Sequence, residues 1–411
     1  MTISGATASR GTDEARQRQA IGLLNWAHAL DHFVLLIFPT VVIGLETVYH
    51  RPYGEMIALG TASFVAFGVF SIPAGWLADH WSRRNMMVAF YLGCGVALAA
   101  AALAPSLVML AVALFVLGVF GAIYHPVGMA MLIDLSDGRG RTLAFNGVCG
   151  NVGTAVAAAI SAALASWFGW RMAFLVPSVI CIATGFIFLA FVRDDRHRAG
   201  KREAAAKVPL TPRAAAMVFA IYTVISLTSG LSFNTALIAL PKIVDERLGA
   251  SVSLVAVGGL ATLVFLCGAF AQIAVGRLVE RIAVTTLFIA VVVLQLIGML
   301  WARVAEGETL IIALALTMAA IYGQVTVGDI VLARYSADAW RARIFAVRYF
   351  LTFISAGAAV SLIAALHGRG GFPLVLTALA GCAALLLIAV LAFVVVVSPA
   401  EAKARAVQPA E

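Results

Sequence analysis

Charge is scarce in this sequence, and its scarcity excludes most soluble folds. Only 12% of the 411 residues are Asp, Glu, Lys or Arg, whereas 63% are hydrophobic. A soluble globular domain carries about 25% charged residues, so this much apolar material has to face lipid. It comes in blocks of roughly 20 residues, the length at which a helix crosses a bilayer, and not in the short alternating segments of a transmembrane barrel. The sequence therefore predicts an all-α membrane protein.

Cysteine is also sparse, and none of it is spaced for metal binding. The sequence lacks an ATP-binding loop, a nucleophile motif and a long soluble segment as well. We therefore predict that the protein is not an enzyme, and we assign it no cofactor and no metal ligand. Free thiols inside apolar segments pack as small hydrophobes, which is the role we expect for Cys94, Cys149, Cys181, Cys267 and Cys382.

Twelve hydrophobic spans follow one another along the chain. Charged clusters separate most of them, and the turn residues Ala104, Pro105 and Ser106 separate the third span from the fourth. The predicted spans cover residues 21–46, 56–78, 85–104, 106–132, 143–166, 170–192, 214–241, 252–276, 283–303, 308–333, 343–366 and 372–398.

The basic residues are distributed unevenly between the two sides of these spans. With the N-terminus in the cytoplasm, 22 of the 28 Lys and Arg residues lie on the cytoplasmic side and 6 on the other. This bias predicts a multi-pass inner-membrane protein with both termini cytoplasmic, and it explains the net charge of +8 without a nucleic-acid partner. We divide the chain into a tail (1–20), a six-helix bundle (21–192), a cytoplasmic linker (193–213), a second bundle (214–398) and a second tail (399–411).

An internal repeat supports this division. Four short segments recur in the same order at offsets near 200 residues, which indicates a duplicated six-helix unit in parallel orientation. We therefore predict two pseudo-symmetric bundles, an arrangement that secondary transporters use. The matches pair residues 75–84 with 276–281, Pro39 with Pro241, 122–124 with 320–322, and 139–141 with 341–343.

The segment between the second and third spans carries the most specific motif. It reads GWLADHWSRR over residues 75–84, with Ser82 where glycine is usual. It resembles the signature loop of the major facilitator superfamily, and the resemblance covers about residues 20–398. The resemblance implies alternating access by two rocking halves, with charges at this loop latching one state. The predicted latch consists of Gly75, Asp79, Arg83, Arg84 and Glu280.

A narrower resemblance lies in the fourth and fifth spans. Residues 121–126 read GAIYHP and residues 150–153 read GNVG. They are similar to the corresponding stretches of the fosmidomycin-resistance branch of exporters. Together with the signature loop, this resemblance implies export of small organic compounds by proton antiport.

The first span carries a group of ionisable side chains. His28, Asp31 and His32 are spaced by three and four residues, so they share one side of the helix. Ionisable groups inside a membrane are costly, and they usually face a cavity and serve function. In the family fold the first and fourth spans line the central cavity, which brings His125 towards this group. We predict that Asp31 carries the proton and that the three histidines tune it. The alternative is a hydrogen-bonded group that only fixes helix packing.

Neutral polar residues in the other cavity-lining spans are candidates for substrate contacts, because binding walls use such hydrogen-bonding groups. Asn234 matches His32 at an offset of 202. Near the cytoplasmic end, we expect Asp329 to pair with Arg334 and Arg348 to extend towards the interface. The predicted substrate residues are Tyr124, Asn151, Ser229, Asn234, Tyr322 and Gln324.

These observations leave three functions open. The leading hypothesis is a monomeric, proton-coupled exporter of a small organic solute, with the substrate, protons and the lipid bilayer as its partners. The first alternative is uptake of a small metabolite or anion by proton symport with the same residues. The second alternative is divalent-metal transport, because the imidazole and carboxylate groups of the first and fourth spans are ligand types for transition metals.

Overall fold

The computed structural model describes residues 3–136, 140–193, 211–249, 252–335 and 338–407. Every regular element in these ranges is helical, and eleven helices are long and apolar enough to cross a membrane. In chain order the α-helices are α1 Ile3–Tyr49, α2 Tyr53–Ala58, α3 Thr61–His80, α4 Arg83–Ala102, α5 Leu107–Gly121, α6 Met129–Leu135, α7 Gly140–Phe168, α8 Met172–Phe191, α9 Pro212–Leu248, α10 Leu254–Leu278, α11 Val284–Val304, α12 Gly307–Tyr335 and α13 Asp338–Val407.

Short polar residues begin several of these helices. The Ser82 hydroxyl accepts a hydrogen bond from the backbone N–H of Asn85 at 3.1 Å and so caps α4. Ser106 caps α5, Thr211 caps α9 and Ser253 caps α10 in the same way. Such caps satisfy backbone donors that have no partner within the helix. Ser82, which replaces the usual glycine of the signature loop, therefore has a structural role of its own.

The number of spans differs from the prediction at the C-terminal end. Residues 343–366 and 372–398, predicted as two spans, lie within the single element α13, and the last candidate span runs from Phe350 to Pro399. The backbone leaves helical geometry at Gly370 and Gly371, and Gly371 has a φ of 62°. Only glycine adopts this conformation at low cost. The expected loop is thus reduced to a two-residue break, and the count of candidate spans among the described residues is eleven rather than twelve.

A π-helical turn interrupts the fourth membrane helix. It covers Tyr124–Gly128, between α5 and α6, and it contains Pro126. Proline has no backbone N–H and its ring clashes with the preceding turn, so the regular hydrogen-bond ladder cannot pass through it. A wider π turn accommodates this break, and such turns occur frequently at functional sites. The turn presents Tyr124 and His125 towards α1.

The packing of the helices recurs along the chain. We refer to residues 3–193 as the first half and to residues 211–407 as the second half. In the first half α1 packs on α7, α4 on α8, α4 on α5 and α3 on α5. In the second half α9 packs on α13, α11 on α13, α11 on α12 and α10 on α12. The internal repeat seen in the sequence therefore has a counterpart in the order of helix contacts.

Two helix pairs carry most of the contact between the halves. One is α7 with α10, where the Thr262 hydroxyl donates to the carbonyl of Ala155 at 2.6 Å. The other is α3 with α13, where the rings of Phe67 and Phe353 lie 5.0 Å apart. The outside of the molecule exposes large apolar side chains, Trp76 and Trp167 among them. Lipid is the environment in which such a surface is stable.

Candidate functional site

Four ionisable side chains meet where α1 faces the π turn. The His28, His32 and His125 rings form mutual contacts, with centroids 5.0 to 5.5 Å apart. Asp31 lies beside them on α1, and its side chain is completely buried. The structure thus brings together the four residues that sequence analysis assigned to proton coupling. We call His28, Asp31, His32 and His125 the histidine cluster.

Asp31 has no hydrogen-bond partner among the described residues. Both of its carboxylate oxygens are buried, and Nε2 of His125 lies 3.4 Å from Oδ2. The Nε2 atom of His125 is likewise buried without a hydrogen bond from the described part of the chain. A buried carboxylate without hydrogen bonds is costly when charged. This carboxylate is therefore stabilised either by a bound proton or by a cation beside it.

His28 is held in one orientation by its neighbours. Its Nδ1 atom lies 2.8 Å from the backbone carbonyl oxygen of Asn146, and its ring stacks on Tyr124 with centroids 4.8 Å apart. A carbonyl only accepts hydrogen bonds, so Nδ1 carries the hydrogen and Nε2 of the neutral ring carries a lone pair. That Nε2 atom lies 3.2 Å from Nε2 of His32.

Asn146 connects the elements around the cluster. Its amide Nδ2 donates to Oδ1 of Asn25 at 3.0 Å, and its side chain is within hydrogen-bond distance of the Tyr124 hydroxyl. Sequence analysis did not select this residue. The available indication was its amide side chain, one of two in this span, which has to find hydrogen-bond partners when it is buried.

Glycines in α7 allow the cluster to form. A Cβ atom on Gly153 would lie 2.0 Å from the carbonyl oxygen of Ala29, and one on Gly150 would lie 2.7 Å from the ring of His28. The backbones of α1 and α7 therefore touch at this level. Small residues permit this approach between membrane helices, and it positions Asn146 against His28.

The predicted substrate residues do not form one continuous group. Tyr124 packs within the histidine cluster, and Asn151 donates to Gln272 across the two halves at 2.5 Å. Ser229 donates to Gln324 at 2.6 Å. Tyr322 is buried on Phe233, with ring centroids 5.6 Å apart. The remaining residue, Asn234, donates from Nδ2 to the carbonyls of Gly230 and Thr352 and to the hydroxyl of Ser355, at 2.9 to 3.1 Å.

Asp329 forms an ion pair with Arg348 of α13, a partner that sequence analysis did not assign to it. The side chain of Arg348 is only 12% exposed, so it does not extend to the interface as expected. The two residues come from α12 and α13, and the carboxylate compensates the charge of the largely buried guanidinium of Arg348.

The predicted latch residues lie at the end of the molecule where α3 ends. Arg83 pairs with Asp134 at 2.6 Å and with Asp79 at 3.3 Å, and Arg84 donates to the carbonyl of Val192 at 2.8 Å. These partners all belong to the first half. Gly75 lies against the π turn, since a Cβ there would meet Pro126 at 3.3 Å. Glu280, in the second half, is exposed, and within the described ranges it forms no ion pair.

An ion-pair network joins the two halves at the opposite end of the molecule, and sequence analysis missed it. Lys242 of α9 binds Glu46 of α1, and it lies 3.0 Å from Asp245 and 3.6 Å from Glu246. His367 of α13 lies 2.8 Å from Glu246. We call these five residues the Lys242 network. The spacing of Asp245 and Glu246, three and four residues after Lys242, was the available indication.

The sequence of this chain is similar to those of known membrane transporters. The profile of the Major Facilitator Superfamily matches residues 21–323. The niacin transporter NiaP of Acinetobacter baylyi is 26% identical over 162 residues, 39% of this chain and 36% of that protein. The multidrug efflux pump LfrA of Mycolicibacterium smegmatis is 33% identical over 114 residues, 27% of this chain and 23% of that protein. The matched segments thus span less than half of these relatives.

A solved structure shares the fold over nearly the whole chain. A bacterial homologue of the human lysosomal transporter Spinster, in an inward-facing and occupied conformation, superposes with a TM-score of 0.70. The similarity covers 96% of this chain and 99% of that one, at 13% sequence identity. At this identity the likeness concerns the fold alone.

Proposed function

Because the chain belongs to the Major Facilitator Superfamily, we propose that it is a proton-coupled secondary transporter that moves a small organic solute by alternating access. The observation that carries the proposal is the histidine cluster, in which a fully buried carboxylate lies 3.4 Å from the imidazole of His125, whose ring contacts those of His28 and His32. An ionisable group inside the membrane is expensive to maintain unless it has a function.

The proposed architecture has twelve spans in two six-helix bundles, residues 21–192 and 214–398, joined by the linker 193–213. The break at Gly370–Gly371 divides α13 into the last two spans. The recurring order of helix contacts supports the two-bundle arrangement. Both termini are proposed to lie in the cytoplasm, as the distribution of basic residues favours.

In the proposed cycle, Asp31 binds a proton when the site faces one side of the membrane and releases it when the site faces the other. His28, His32 and His125 stabilise the carboxylate in the step in which it is charged. The substrate contacts are proposed to come from Tyr124 and Asn151 in the first half and from Ser229, Asn234, Tyr322 and Gln324 in the second. Hydrogen-bonding groups of this kind orient a ligand in an otherwise apolar site.

The ion pairs at the two ends support a specific conformational cycle. The Lys242 network joins the halves at one end, whereas the latch residues Asp79, Arg83 and Arg84 pair within their own half at the other. We propose that the described state is closed at the Lys242 end. Rocking of the halves then separates Lys242 from Glu46 and brings the latch residues to Glu280 and its surroundings.

Direction is proposed to be export by proton antiport. The similarity of the fourth and fifth spans to an exporter branch and the similarity to an efflux pump support it. Uptake by symport is the second candidate, and the similarity to a niacin transporter favours it. The two differ in one measurable respect, because substrate and protons move in opposite directions in antiport and in the same direction in symport.

The test uses the purified chain in liposomes that contain a pH-sensitive dye. Niacin and a panel of lipophilic drugs are applied, and proton movement is recorded for the wild type, Asp31→Asn and Glu55→Gln. Glu55 is a matched control, because it is an acid of the first half that pairs with Arg51 at the surface. We expect substrate-dependent proton flux in the wild type and in Glu55→Gln and none in Asp31→Asn. Undiminished flux in Asp31→Asn contradicts the proposal.

A further inference from the structure

We propose that the histidine cluster is a binding site for a divalent transition-metal ion such as Zn²⁺. This inference goes beyond the transport of an organic solute. It also does not depend on that function, because it requires only the arrangement of His28, Asp31, His32 and His125 in the described state. The ligand set consists of three imidazole nitrogens and one carboxylate oxygen, a set that transition metals bind well.

The spacing of the ligand atoms fits a tetrahedral ion. Zn–N bonds of about 2.0–2.1 Å at tetrahedral angles place two ligand atoms about 3.3 Å apart. The Nε2 atoms of His28 and His32 are 3.2 Å apart, and Nε2 of His125 is 3.4 Å from Oδ2 of Asp31. One ring nitrogen from each of the three histidines lies within 4.8 Å of the others. The three imidazoles thus lie close enough to share one ion, and the carboxylate of Asp31 adjoins the group at His125.

The orientation of His28 is the one that a metal ligand requires. Its Nδ1–H donates to the carbonyl oxygen of Asn146, which leaves the lone pair of Nε2 directed into the cluster. Histidines that bind metals commonly hold their second nitrogen in this way, because the outer hydrogen bond fixes the tautomer and the ring. The stacking of His28 on Tyr124 restricts the ring further.

Two of the four ligand groups have no hydrogen-bond partner among the described residues. Both oxygens of Asp31 and Nε2 of His125 are buried and form no hydrogen bond there. Buried polar atoms are almost always satisfied, and a bound ion is one partner that satisfies such atoms. A bound divalent ion satisfies both groups at once and neutralises the buried carboxylate.

The site also provides access and selectivity. His32 and His125 are partly exposed, whereas His28 and Asp31 are buried, so an ion approaches from the side of the first two rings. Imidazole ligands favour zinc, cobalt, nickel and copper, whereas magnesium and calcium prefer oxygen ligands. We therefore expect Zn²⁺ and Co²⁺ to bind and Mg²⁺ not to compete.

The location of the ligands determines how a metal ion would act. All four ligands belong to the first half, so the ion does not bridge the two halves and does not block their rocking directly. It occupies the same lone pairs that bind protons, and metal binding releases protons from such ligands. A bound ion and a carried proton therefore exclude one another at Asp31.

The test is a Co²⁺ titration of the purified full-length protein, produced with a tag that contains no histidine. Tetrahedral Co²⁺ gives visible absorption bands that report the site directly. We compare the wild type with His32→Ala and with His80→Ala, where His80 is an exposed histidine outside the cluster. We expect one equivalent of Co²⁺ in the wild type and in His80→Ala, displaced by Zn²⁺ and not by Mg²⁺, and an affinity roughly tenfold weaker or worse in His32→Ala.

A second measurement does not depend on any variant. X-ray absorption of the Zn²⁺-loaded wild type is expected to report four light-atom ligands at about 2.0–2.2 Å. Absence of stoichiometric binding, six-coordinate zinc, or equal losses in His32→Ala and His80→Ala would each overturn the proposal. Failure of this proposal is distinguishable from failure of the proposed function. Proton flux without metal binding removes only the metal site, and metal binding without proton flux removes only the proton-coupled transport.

Discussion

The two halves of the molecule share a packing scheme but differ in the chemistry they bury. In both, the first long helix is joined to a later one by a side chain that hydrogen-bonds a backbone carbonyl. His28 bonds Asn146 between α1 and α7, and Asn234 bonds Thr352 between α9 and α13. The first half surrounds this joint with ionisable groups that lack hydrogen bonds. In the second half, Nδ2 of Asn234 donates to Gly230, Thr352 and Ser355.

This difference separates two roles of the corresponding helix contacts, which are packing in the second half and the proposed binding of protons or metal ions in the first. A hydrogen bond between neutral groups stabilises helix packing and does not change with pH or metal concentration. An ionisable joint with unpartnered atoms binds small cations at the expense of stability. The repeat therefore preserves architecture in both halves, while the proposed proton and metal binding uses residues of the first half alone.

The comparison is tested most strongly by removing one polar group from each half. We expect His125→Gln to lower substrate-coupled proton flux roughly a hundredfold, because the imidazole beside Asp31 takes part in proton transfer. We expect Gln324→Leu to raise the KM of transport roughly fivefold through loss of a hydrogen bond with Ser229, without changing the number of protons per substrate. Both quantities come from flux assays in liposomes. A changed proton ratio in Gln324→Leu contradicts the separation of tasks.

The joints themselves are compared by adding one methyl group. Gly153→Ala places Cβ 2.0 Å from the carbonyl oxygen of Ala29, so we expect a loss of about 2–3 kcal/mol. Gly230→Ala meets the movable hydroxyl of Ser355 at 2.6 Å and should cost less. The control is Gly147→Ala, which has open space around the new atom. Thermal unfolding in detergent ranks the three, and a Gly147→Ala variant as unstable as Gly153→Ala argues against backbone contact at the first joint.

The contact between the halves is tested at the Lys242 end. Lys242→Met leaves Glu46 without its cationic partner, and we expect the ratio of the two facing states to shift roughly fivefold, about 1 kcal/mol, away from closure at this end. Distances between spin labels at positions 50 and 369 report the shift. Arg51→Met is the control, since Arg51 forms an exposed pair with Glu55 in its own half. Equal distance distributions in the wild type and Lys242→Met would show that the network does not hold this end.

The smallest effect is expected for the neutral joint. Asn234→Ala removes hydrogen bonds to Thr352 and Ser355, and we expect a loss of about 0.5–1.5 kcal/mol with unchanged proton coupling and metal affinity. Ser361→Ala is the control, because this hydroxyl donates to the carbonyl of Gly357 in its own helix and not to another helix of the described chain. Thermal unfolding and Co²⁺ titration of the same samples measure both properties. Weakened Co²⁺ binding in Asn234→Ala points to communication between the halves that the comparison does not include.

The fold was largely predictable from composition, because a chain this apolar has few alternatives to membrane helices. His28, Asp31 and His32 were also predictable, since helical spacing alone puts them on one side of α1. The position of His125 required a fold in which the first and fourth spans are neighbours. The spacing of polar residues within one helix can be read from a short stretch of sequence. Which helix packs against it depends on the fold of the whole chain.

The features that sequence analysis missed all depend on contacts between distant segments. Asn146 contacts His28 through its backbone carbonyl and Asn25 through its side chain, and both partners are more than 100 residues away in the chain. Lys242 and Glu46 are 196 residues apart in the chain. Asp329 was assigned to a nearby arginine, although its partner Arg348 comes from the next helix. In each case several partners were compatible with the sequence, and only the packing of the helices selects one of them.

The Lys242 network also bears on which ions enter at this end of the molecule. It contains three carboxylates, one ammonium group and the imidazole of His367. When this end opens, Glu46 remains alone on one wall, and Lys242 remains on the other with Asp245 and Glu246. Within the network three carboxylates outnumber one ammonium group, so in the proposed open state its residues add net negative charge to the mouth, and negative charge concentrates cations. In the proposed cycle, the ion pairs that join the halves at this end would, once parted, favour the entry of cations over anions.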